Sequence, residues 1–373
     1  MERHNNVRFI TGLSFQKLNM IPLNEEAGPI LHYEYSDIWP EAYEIIGEGL
    51  VRFKLYFPHA QKVKLRTYTD AFNLKKEGPF FVGECAVGTG FIGIMLNVDG
   101  NEVLYPALPI GFGGNKPINF MELLGNDSVI EPLKAAHGTV VMDYMESQVS
   151  KRLERVYIYL PPGYHENGEE RYPVLYLQHG HGENETTWVN QGKLNFIMDN
   201  LIHQGKAKPM IIVMCNGMVS FEQDDGVHAD ITEAFEKMLI SEVIPFVEKK
   251  YRVYGDKKHR AMAGLSVGSL QTSVITLRNQ DLFDYAGIFS GFVRDVLSSY
   301  ERHLEPRYLS TFGKNMKYIF RAIGEEDVYM EAFLEDDCLF AEYCIVHDRV
   351  IYPGYHEWKV WQSCLHDFVQ KIF

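Results

Sequence analysis

The sequence predicts an α/β protein in which a smaller all-β domain precedes a larger domain with a doubly wound, mostly parallel sheet. Three observations carry this prediction. From about residue 37, short runs alternate apolar and polar residues without helical periodicity. From about residue 136, apolar strands alternate with helix-like segments, and Gly264-Leu-Ser-Val-Gly268 joins one such strand to one such segment. We place the boundary near residue 135, which gives domains 1–135 and 136–373.

Composition limits the classes of partner. The chain has 373 residues, which is long enough for two domains, and a formal net charge of −14. Because a phosphate backbone is repelled by this charge and no Lys/Arg run exceeds a pair, nucleic acid is not an expected partner. Five cysteines without a Cys-x-x-Cys pair favour reduced thiols. No signal-peptide or membrane-spanning run is visible, so we expect a cytoplasmic location and no membrane partner.

The first domain is predicted to be an Ig-like β-sandwich of about a hundred residues, preceded by an N-terminal arm at 1–36. The expected strands are Gly49–Phe57, Lys62–Tyr68, Pro79–Ala86 and Phe91–Val98, with Asp99-Gly100 as a hairpin turn. The glycine-rich segment Leu108–Leu133 is read as a loop, either a linker or a wall of a cleft, because no Gly-Lys-Ser/Thr supports a phosphate cradle.

The second domain is predicted to build a sheet from apolar strands with helices between them. The expected strands are Glu154–Leu160, Tyr172–Leu177, Met210–Met214, Ala261–Ala263, Tyr285–Phe289, Lys317–Ile323 and Val350–Tyr352. The expected helices are Leu194–Gln204, Ile231–Lys250, Ser269–Arg278 and Ser363–Phe373. Ligands of such sheets gather at the carboxyl ends of the strands, where the chemistry should be sought.

Ser266 is predicted to be a nucleophile. Gly-x-Ser-x-Gly between a strand and a helix is the context of a nucleophile elbow, in which the flanking glycines let the backbone pass close to the turn. A serine hydroxyl needs an imidazole to take its proton and a carboxylate to orient that imidazole. In α/β-hydrolases the three follow in the order serine, acid, histidine.

The acid and the base are sought after Ser266. His356 follows the last expected strand, whereas the rivals His303, His347 and His366 lie in polar or helical surroundings. Asp327 is the preferred acid, with Glu326 left open. The other carboxylates considered are Glu325, Asp336 and Asp337.

The segment Leu177–Glu185 is predicted to supply the oxyanion hole, through the N–H of the His181 region together with that of Val267. Gly180, Gly182 and Trp188 are the expected substrate-binding residues. His179, His181 and Glu183 are candidate metal ligands, but no further ligand is apparent, so neither a metal nor any other cofactor is expected.

Six blocks of the second domain together resemble the putative esterase family of α/β-hydrolases, the group of feruloyl, acetylxylan and enterochelin esterases. The blocks are Arg155–Tyr164, Tyr172–Gly180 with Glu185 and Trp188, Asp199–Ile202, Pro209–Met214 with Asn216-Gly217, Gly264–Gly268 and Pro353–Trp358. The resemblance implies Ser266 as nucleophile, His356 as base and Asp327 as acid. Ser269 departs from it, since a second glycine is usual there. More loosely, Val51–Ala60 and Val98–Gly100 before Tyr105-Pro106 resemble the glycogen-binding-type module that precedes some of these esterases.

We therefore expect a serine carboxylic-ester hydrolase that releases feruloyl or acetyl groups from plant-derived sugar esters. Its partner would be a small-molecule ester or an acylated oligosaccharide. The alternatives are an enterochelin-type siderophore trilactone esterase, an acyltransferase and a catalytically inert carbohydrate-binding protein. The acyl group, the leaving alcohol and the oligomeric state, a homo-oligomer included, stay open.

Overall fold

A computed structural model of the protein describes residues 42–125, 128–166, 168–219, 231–291 and 306–373. The chain divides into two units, one ending at Ser128 and the other continuing from Val129 to Phe373. The predicted N-terminal arm, 1–36, lies outside the described residues.

The unit that ends at Ser128 is all-β wherever the structure describes it. Its strands pair antiparallel throughout, in the order β1-β2-β5-β4-β3-β6-β9-β8, and β7 pairs with β6. They are β1 (Tyr43–Gly47), β2 (Leu50–Tyr56), β3 (Val63–Arg66), β4 (Ala71–Glu77), β5 (Phe80–Ala86), β6 (Gly90–Val98), β7 (Asn101–Val103), β8 (Ile110–Gly113) and β9 (Lys116–Leu123).

Alternation along these strands produces one core. In β2, Val51, Phe53 and Leu55 are fully buried, while Arg52 and Lys54 between them are exposed. Strand β6 pairs through its first half with β9 and through its second half with β3. The four predicted strands are all present within a residue or two, and an all-β unit is confirmed. The Ig-like arrangement of its strands stays a prediction.

The predicted loop at Leu108–Leu133 is wrong for most of its length, because β8 and β9 form a hairpin there. Gly113 pairs with Lys116 across a two-residue turn, in which Gly114 has φ +59° and Asn115 has φ +62°. Positive φ at both positions is what a tight hairpin turn of this type requires, and Gly-Asn satisfies it. Of the glycines in this segment, Gly114 therefore serves the turn, whereas Gly111 and Gly113 lie in β8.

The unit from Val129 contains an eight-stranded mixed sheet in the order β10-β11-β13-β12-β14-β15-β16-β17. From β13 to β17 the neighbouring strands are parallel, while β10 and β11 are antiparallel at one edge. The strands are β10 (Thr139–Ser147), β11 (Arg152–Leu160), β12 (Val174–Gln178), β13 (Ile211–Cys215), β14 (Arg260–Leu265), β15 (Tyr285–Phe289), β16 (Tyr318–Gly324) and β17 (Asp348–Tyr352). The mostly parallel sheet is confirmed, with this antiparallel edge added.

Helices connect these strands. They are α1 (Thr187–Asn190), α2 (Leu194–His203), α3 (Ile231–Met238), α4 (Ile244–Lys250), α5 (Val267–Arg278), α6 (Pro306–Asn315), α7 (Met330–Glu342) and α8 (Trp358–Val369). Helix α5 packs on β14, β15 and α3, and α8 packs on β15, β16 and α2. The single helix predicted at Ile231–Lys250 is interrupted by a wide turn at Leu239–Val243, just before Pro245. Because proline lacks an N–H and its ring crowds the preceding turn, a regular helix is disfavoured there.

The central strands place the functional loops. Every residue of β12, β13, β14 and β15 is buried, as expected for strands covered on both faces. Because β12 and β14 to β17 run parallel, their carboxyl ends deliver the following loops to one edge of the sheet. None of the helices within the described residues is both long and apolar enough to cross a bilayer.

Candidate active site

Ser266 occupies a sharp turn between β14 and α5. Its φ is +51°, in a region that residues other than glycine seldom adopt. Its N–H donates to the carbonyl of Phe289, 2.9 Å away, which ties the turn to the end of β15. This is the geometry of a nucleophile elbow, which leaves the serine side chain partly exposed at the sheet edge.

The glycines on either side of Ser266 are required by close backbone contacts. A Cβ on Gly264 would lie 2.4 Å from the carbonyl oxygen of Gly268, and one on Gly268 would lie 2.4 Å from the carbonyl oxygen of His179. Ser269, at the position where the resemblance expects a glycine, is fully buried and its hydroxyl donates to the carbonyl of Ser266 at 2.6 Å. The serine is therefore accommodated within the elbow.

His356 and Asp327 meet Ser266 in one hydrogen-bonded row. His356 Nε2 lies 2.9 Å from Ser266 Oγ, and His356 Nδ1 lies 2.9 Å from Asp327 Oδ2. The Asp327 carboxylate is buried and also accepts the N–H of Tyr329 at 3.0 Å. A carboxylate on Nδ1 retains the proton there, so Nε2 is free to accept the serine proton.

The loop after β16, which carries Asp327, packs against the loop after β17, which carries His356. This contact brings the two side chains together. A Cβ on Gly324 would lie 2.5 Å from the carbonyl oxygens of Gly354 and Tyr355, so only glycine allows the approach. The N–H of Glu326 donates to the carbonyl of Gly354 at 2.9 Å, while its side chain points to solvent. The geometry therefore brings Asp327, and not the rival Glu326, to His356.

The other residues considered for the acid and the base are engaged elsewhere. Asp337 pairs with Arg321 and Arg349, His347 Nδ1 bonds to the carbonyl of Ile345, and His366 pairs with Asp367. Asp336 is buried near Arg321, and Glu325 is exposed. His303 lies outside the described residues.

Two aromatic rings frame His356, and neither was predicted from the sequence. Tyr329 and Trp361 each meet the imidazole nearly edge to face, with ring centroids 5.1 Å and 5.0 Å away. Trp361 lies one helical turn after His356's loop, in α8, and Tyr329 follows Asp327 by two residues. The only signal that the sequence offers for Tyr329 and Trp361 is that they lie close along the chain to the expected acid and base.

The segment after β12 approaches Ser266 through Gly180. A Cβ on Gly180 would lie 3.3 Å from the Cβ of Ser266. The N–H of Gly180 donates to Glu183 Oε2 at 3.0 Å, and its carbonyl oxygen lies 2.8 Å from His179 Nδ1. Both the N–H and the carbonyl of Gly180 are hydrogen-bonded within the protein. We therefore expect Gly180 to contact substrate only through its Cα.

The two predicted oxyanion donors are Val267 and His181, and their N–H groups are not engaged in the way that the N–H of Gly180 is. Val267 is the first residue of α5, where an N–H has no carbonyl within the helix to bond. The described residues provide no hydrogen-bond partner for the N–H of Val267 or for that of His181. The His181 side chain is exposed, and the neighbouring Gly182 is buried with φ +70°.

His179 is a buried neutral residue. Burial lowers the pKa of its imidazole to about 4, and its Nε2 accepts the N–H of Gly217 at 2.9 Å. With Nε2 as acceptor, Nδ1 carries the proton and donates to Gly180. Within the described residues no group of three or more His, Cys, Asp or Glu side chains is arranged to hold a metal ion.

Glu183 is the second titratable residue of this segment. Its Oε1 accepts the indole N–H of Trp358 at 3.1 Å, while Oε2 holds Gly180. Burial raises the pKa of this carboxyl group to about 8, although both hydrogen bonds act in the opposite direction. From the sequence, Glu183 is a candidate only for metal binding.

Trp188 is placed differently from its prediction. Its side chain is 1% exposed, its indole N–H donates to the carbonyl of Gln178 at 2.8 Å, and its ring packs against Trp358 and Phe289. This burial corrects the assignment of Trp188 to substrate binding, because its ring contacts protein on all sides. Through its hydrogen bond to Gln178, Trp188 stabilises the carboxyl end of β12.

Comparison with known proteins finds a family resemblance in the second unit. Residues 147–323 match the family model described as putative esterase. This part of the chain is similar to that esterase family. The matched range includes Ser266 and ends before Asp327 and His356, so the proposed roles of those two rest on the geometry above.

The proteins to which this chain is similar include some that are named for ferulate. It is 33% identical over 339 residues to the endo-1,4-beta-xylanase/feruloyl esterase of Xylanibacter ruminicola, covering 87% of this chain and 45% of that protein. A solved ferulic acid esterase is 25% identical with a TM-score of 0.55, covering 63% of this chain and 97% of the other. The chain spans less than half the length of the curated relatives it matches.

A third likeness concerns the fold alone. The enterobactin esterase of Shigella flexneri has a TM-score of 0.60 at 13% identity, covering 88% of this chain and 94% of the other. The family model and the relatives confirm the resemblance predicted from the six sequence blocks.

Proposed function

We propose that the protein is a serine carboxylic-ester hydrolase that works through an acyl-enzyme on Ser266. The observation that carries the proposal is the continuous row of hydrogen bonds from Ser266 Oγ through His356 to the buried Asp327. Such a row converts a hydroxyl into a nucleophile, because the imidazole takes its proton and the carboxylate stabilises the resulting imidazolium.

The proposed reaction has two stages. Ser266 Oγ attacks the ester carbonyl carbon while His356 Nε2 accepts the serine proton, and Nε2 then protonates the departing alcohol. The acyl group remains on Ser266. A water molecule next attacks the acyl carbon, with Nε2 again accepting a proton, and the acid leaves as Ser266 recovers its hydrogen.

The negative oxygen of each tetrahedral intermediate would be held by the N–H groups of Val267 and His181. Both are backbone donors without a partner among the described residues, and they lie on the two segments that approach Ser266. Donors fixed before the reaction stabilise the developing charge more strongly than water does.

We propose a hydroxycinnamoyl or acetyl ester of a plant-derived sugar as substrate. The support is the relative from Xylanibacter ruminicola, whose name joins xylanase and feruloyl esterase, and the solved ferulic acid esterase. The net charge of −14 also suits a neutral sugar ester better than an anionic iron–catecholate complex. A siderophore trilactone esterase and an inert carbohydrate-binding protein are the alternatives to be tested.

The test is hydrolysis of a panel comprising methyl ferulate, an acetylated xylo-oligosaccharide, 4-nitrophenyl acetate and a catecholate trilactone. Ser266→Ala should abolish turnover. Ser273→Ala is the matched control, because it removes another hydroxyl of α5, one that donates to the carbonyl of Ser269. Turnover by the Ser273→Ala protein and none by Ser266→Ala supports the proposal, and the preferred ester selects the substrate class. No turnover of any ester by the wild type contradicts it.

A further inference from the structure

The carboxyl group of Glu183 joins two segments that are remote in the sequence. Its Oε2 accepts the N–H of Gly180, in the segment after β12, and its Oε1 accepts the indole N–H of Trp358, the first residue of α8. Glu183 and Trp358 are separated by 175 positions. One carboxyl group thus connects the segment beside Ser266 to the element that follows His356.

Both anchored positions adjoin reacting groups. Gly180 directly precedes His181, a proposed oxyanion donor, and a Cβ on Gly180 would lie 3.3 Å from Ser266 Cβ and 3.5 Å from Glu183 Oε2. Trp358 follows His356 by two residues and is 3% exposed. A shift of Glu183 would therefore move the donor segment relative to the imidazole.

We propose that Glu183 is a positioning residue that holds the oxyanion-donor segment in register with the His356 loop. The inference rests on the proposed function and adds a residue to it. Glu183 does not touch the reacting atoms; it acts through Gly180 and Trp358. Its contribution should appear in the stabilisation of the tetrahedral intermediate and not in the binding of the intact ester.

The number of acceptors makes a carboxyl group specific for this position. Two N–H donors point at two different oxygens, so each oxygen must offer a lone pair, which both oxygens of a carboxyl group do in the ionised and in the protonated form. A glutamine has the same shape but presents one oxygen and one NH₂ group, which places a donor against a donor at one of the two contacts. Removing the indole N–H at the same time relieves that conflict.

The experiment is a double-mutant cycle with Glu183→Gln, Trp358→Phe and the combination, assayed on the best ester of the panel. We expect Glu183→Gln to lower kcat by about 10- to 100-fold with KM within about twofold, since a misplaced donor affects the transition state. A trifluoromethyl ketone, which forms a tetrahedral adduct with serine, should bind more weakly by a similar factor. The double variant should regain most of the lost kcat.

Glu242→Gln is the matched control. Glu242 lies in the turn Leu239–Val243, and its Oε1 accepts the N–H groups of Gln148 and Val149, which lie between β10 and β11. We expect this variant to lose stability without losing kcat. Should the Glu183→Gln protein fail to fold, Trp358→Phe, which removes one anchor, is expected to lower kcat by about three- to tenfold at unchanged KM.

The outcomes separate this inference from the function on which it rests. An active wild type whose kcat is unchanged in Glu183→Gln, or changed as much in Glu242→Gln, overturns the positioning role while ester hydrolysis stands. A raised KM with unchanged kcat, or additive losses in the double variant, overturns it as well. A wild type inactive on every ester removes the proposed function and this inference with it.

Discussion

Asp327 Oδ2 lies 2.9 Å from Nδ1 of His356, with the carboxylate 0% exposed and the imidazole 23% exposed. The pair joins the loop after β16 to the loop after β17. Burial of the carboxylate strengthens its interaction with the imidazole, and partial exposure of the ring leaves Nε2 accessible to Ser266 and to substrate.

Asp327→Asn should therefore lower kcat by about 10³- to 10⁴-fold, because an amide neither fixes the required tautomer nor stabilises the imidazolium. The measurement is steady-state hydrolysis of the preferred ester. Glu326→Gln is the control, since that side chain is exposed next to Asp327 and should leave kcat within about twofold. A larger loss in Glu326→Gln than in Asp327→Asn would reverse the assignment of the acid.

Trp188→Phe should destabilise the fold without altering substrate affinity. The smaller ring leaves a cavity beside Trp358 and deprives the Gln178 carbonyl of its donor, at a cost of about 1–3 kcal/mol. Chemical unfolding measures the cost, and KM for the preferred ester measures affinity. An unchanged free energy of unfolding with a raised KM would restore Trp188 to the substrate-binding residues.

Acidification should destabilise the protein through His179. The pKa of this imidazole is about 4 in the folded protein against 6.5 for a free histidine, so below pH 6.5 the unfolded chain binds a proton that the folded one does not. The contribution is complete above about pH 6.5 and is lost as pH falls towards 4. Urea unfolding of wild type and His179→Gln between pH 4 and 7 should show a steeper loss for the wild type. Parallel pH profiles would count against this account of His179.

Gly264→Ala should be severely destabilising, by about 3 kcal/mol, because the added methyl would lie 2.4 Å from the carbonyl oxygen of Gly268. Gly168→Ala is the control, since nothing lies within 4 Å of a Cβ placed there. Thermal unfolding of the two variants compares them. Equal melting temperatures would show that the elbow yields more readily than its backbone contacts indicate.

The elbow and its partners could be predicted because their signals are local. The glycines around Ser266 indicate that backbone segments approach closely there, and His356 lies between the last strand and the last helix. The choice between Glu326 and Asp327 could not be made, since neighbouring residues of a loop point in different directions and only the packing against Gly354 decides which one faces inward.

Two further differences between the prediction and the structure arise from contacts between residues that are distant in the sequence. The link from Glu183 to Trp358 joins residues 175 positions apart, and no periodicity reports such a contact. Trp188 is an expected substrate-binding residue, but its burial depends on where Trp358 and α8 pack, which the sequence does not indicate. The β8–β9 hairpin had a local signal in Gly114-Asn115, which the surrounding glycines obscured.

The most direct test of the account is peptide mapping by mass spectrometry of wild type and His356→Ala after brief exposure to 4-nitrophenyl acetate and acid quench. We expect an acetyl group in the wild type on the peptide that contains Ser266. The same peptide should remain unmodified in the variant, which lacks the base. Turnover by the wild type with acetyl found on another residue, or equal acetylation of Ser266 in both proteins, would contradict it.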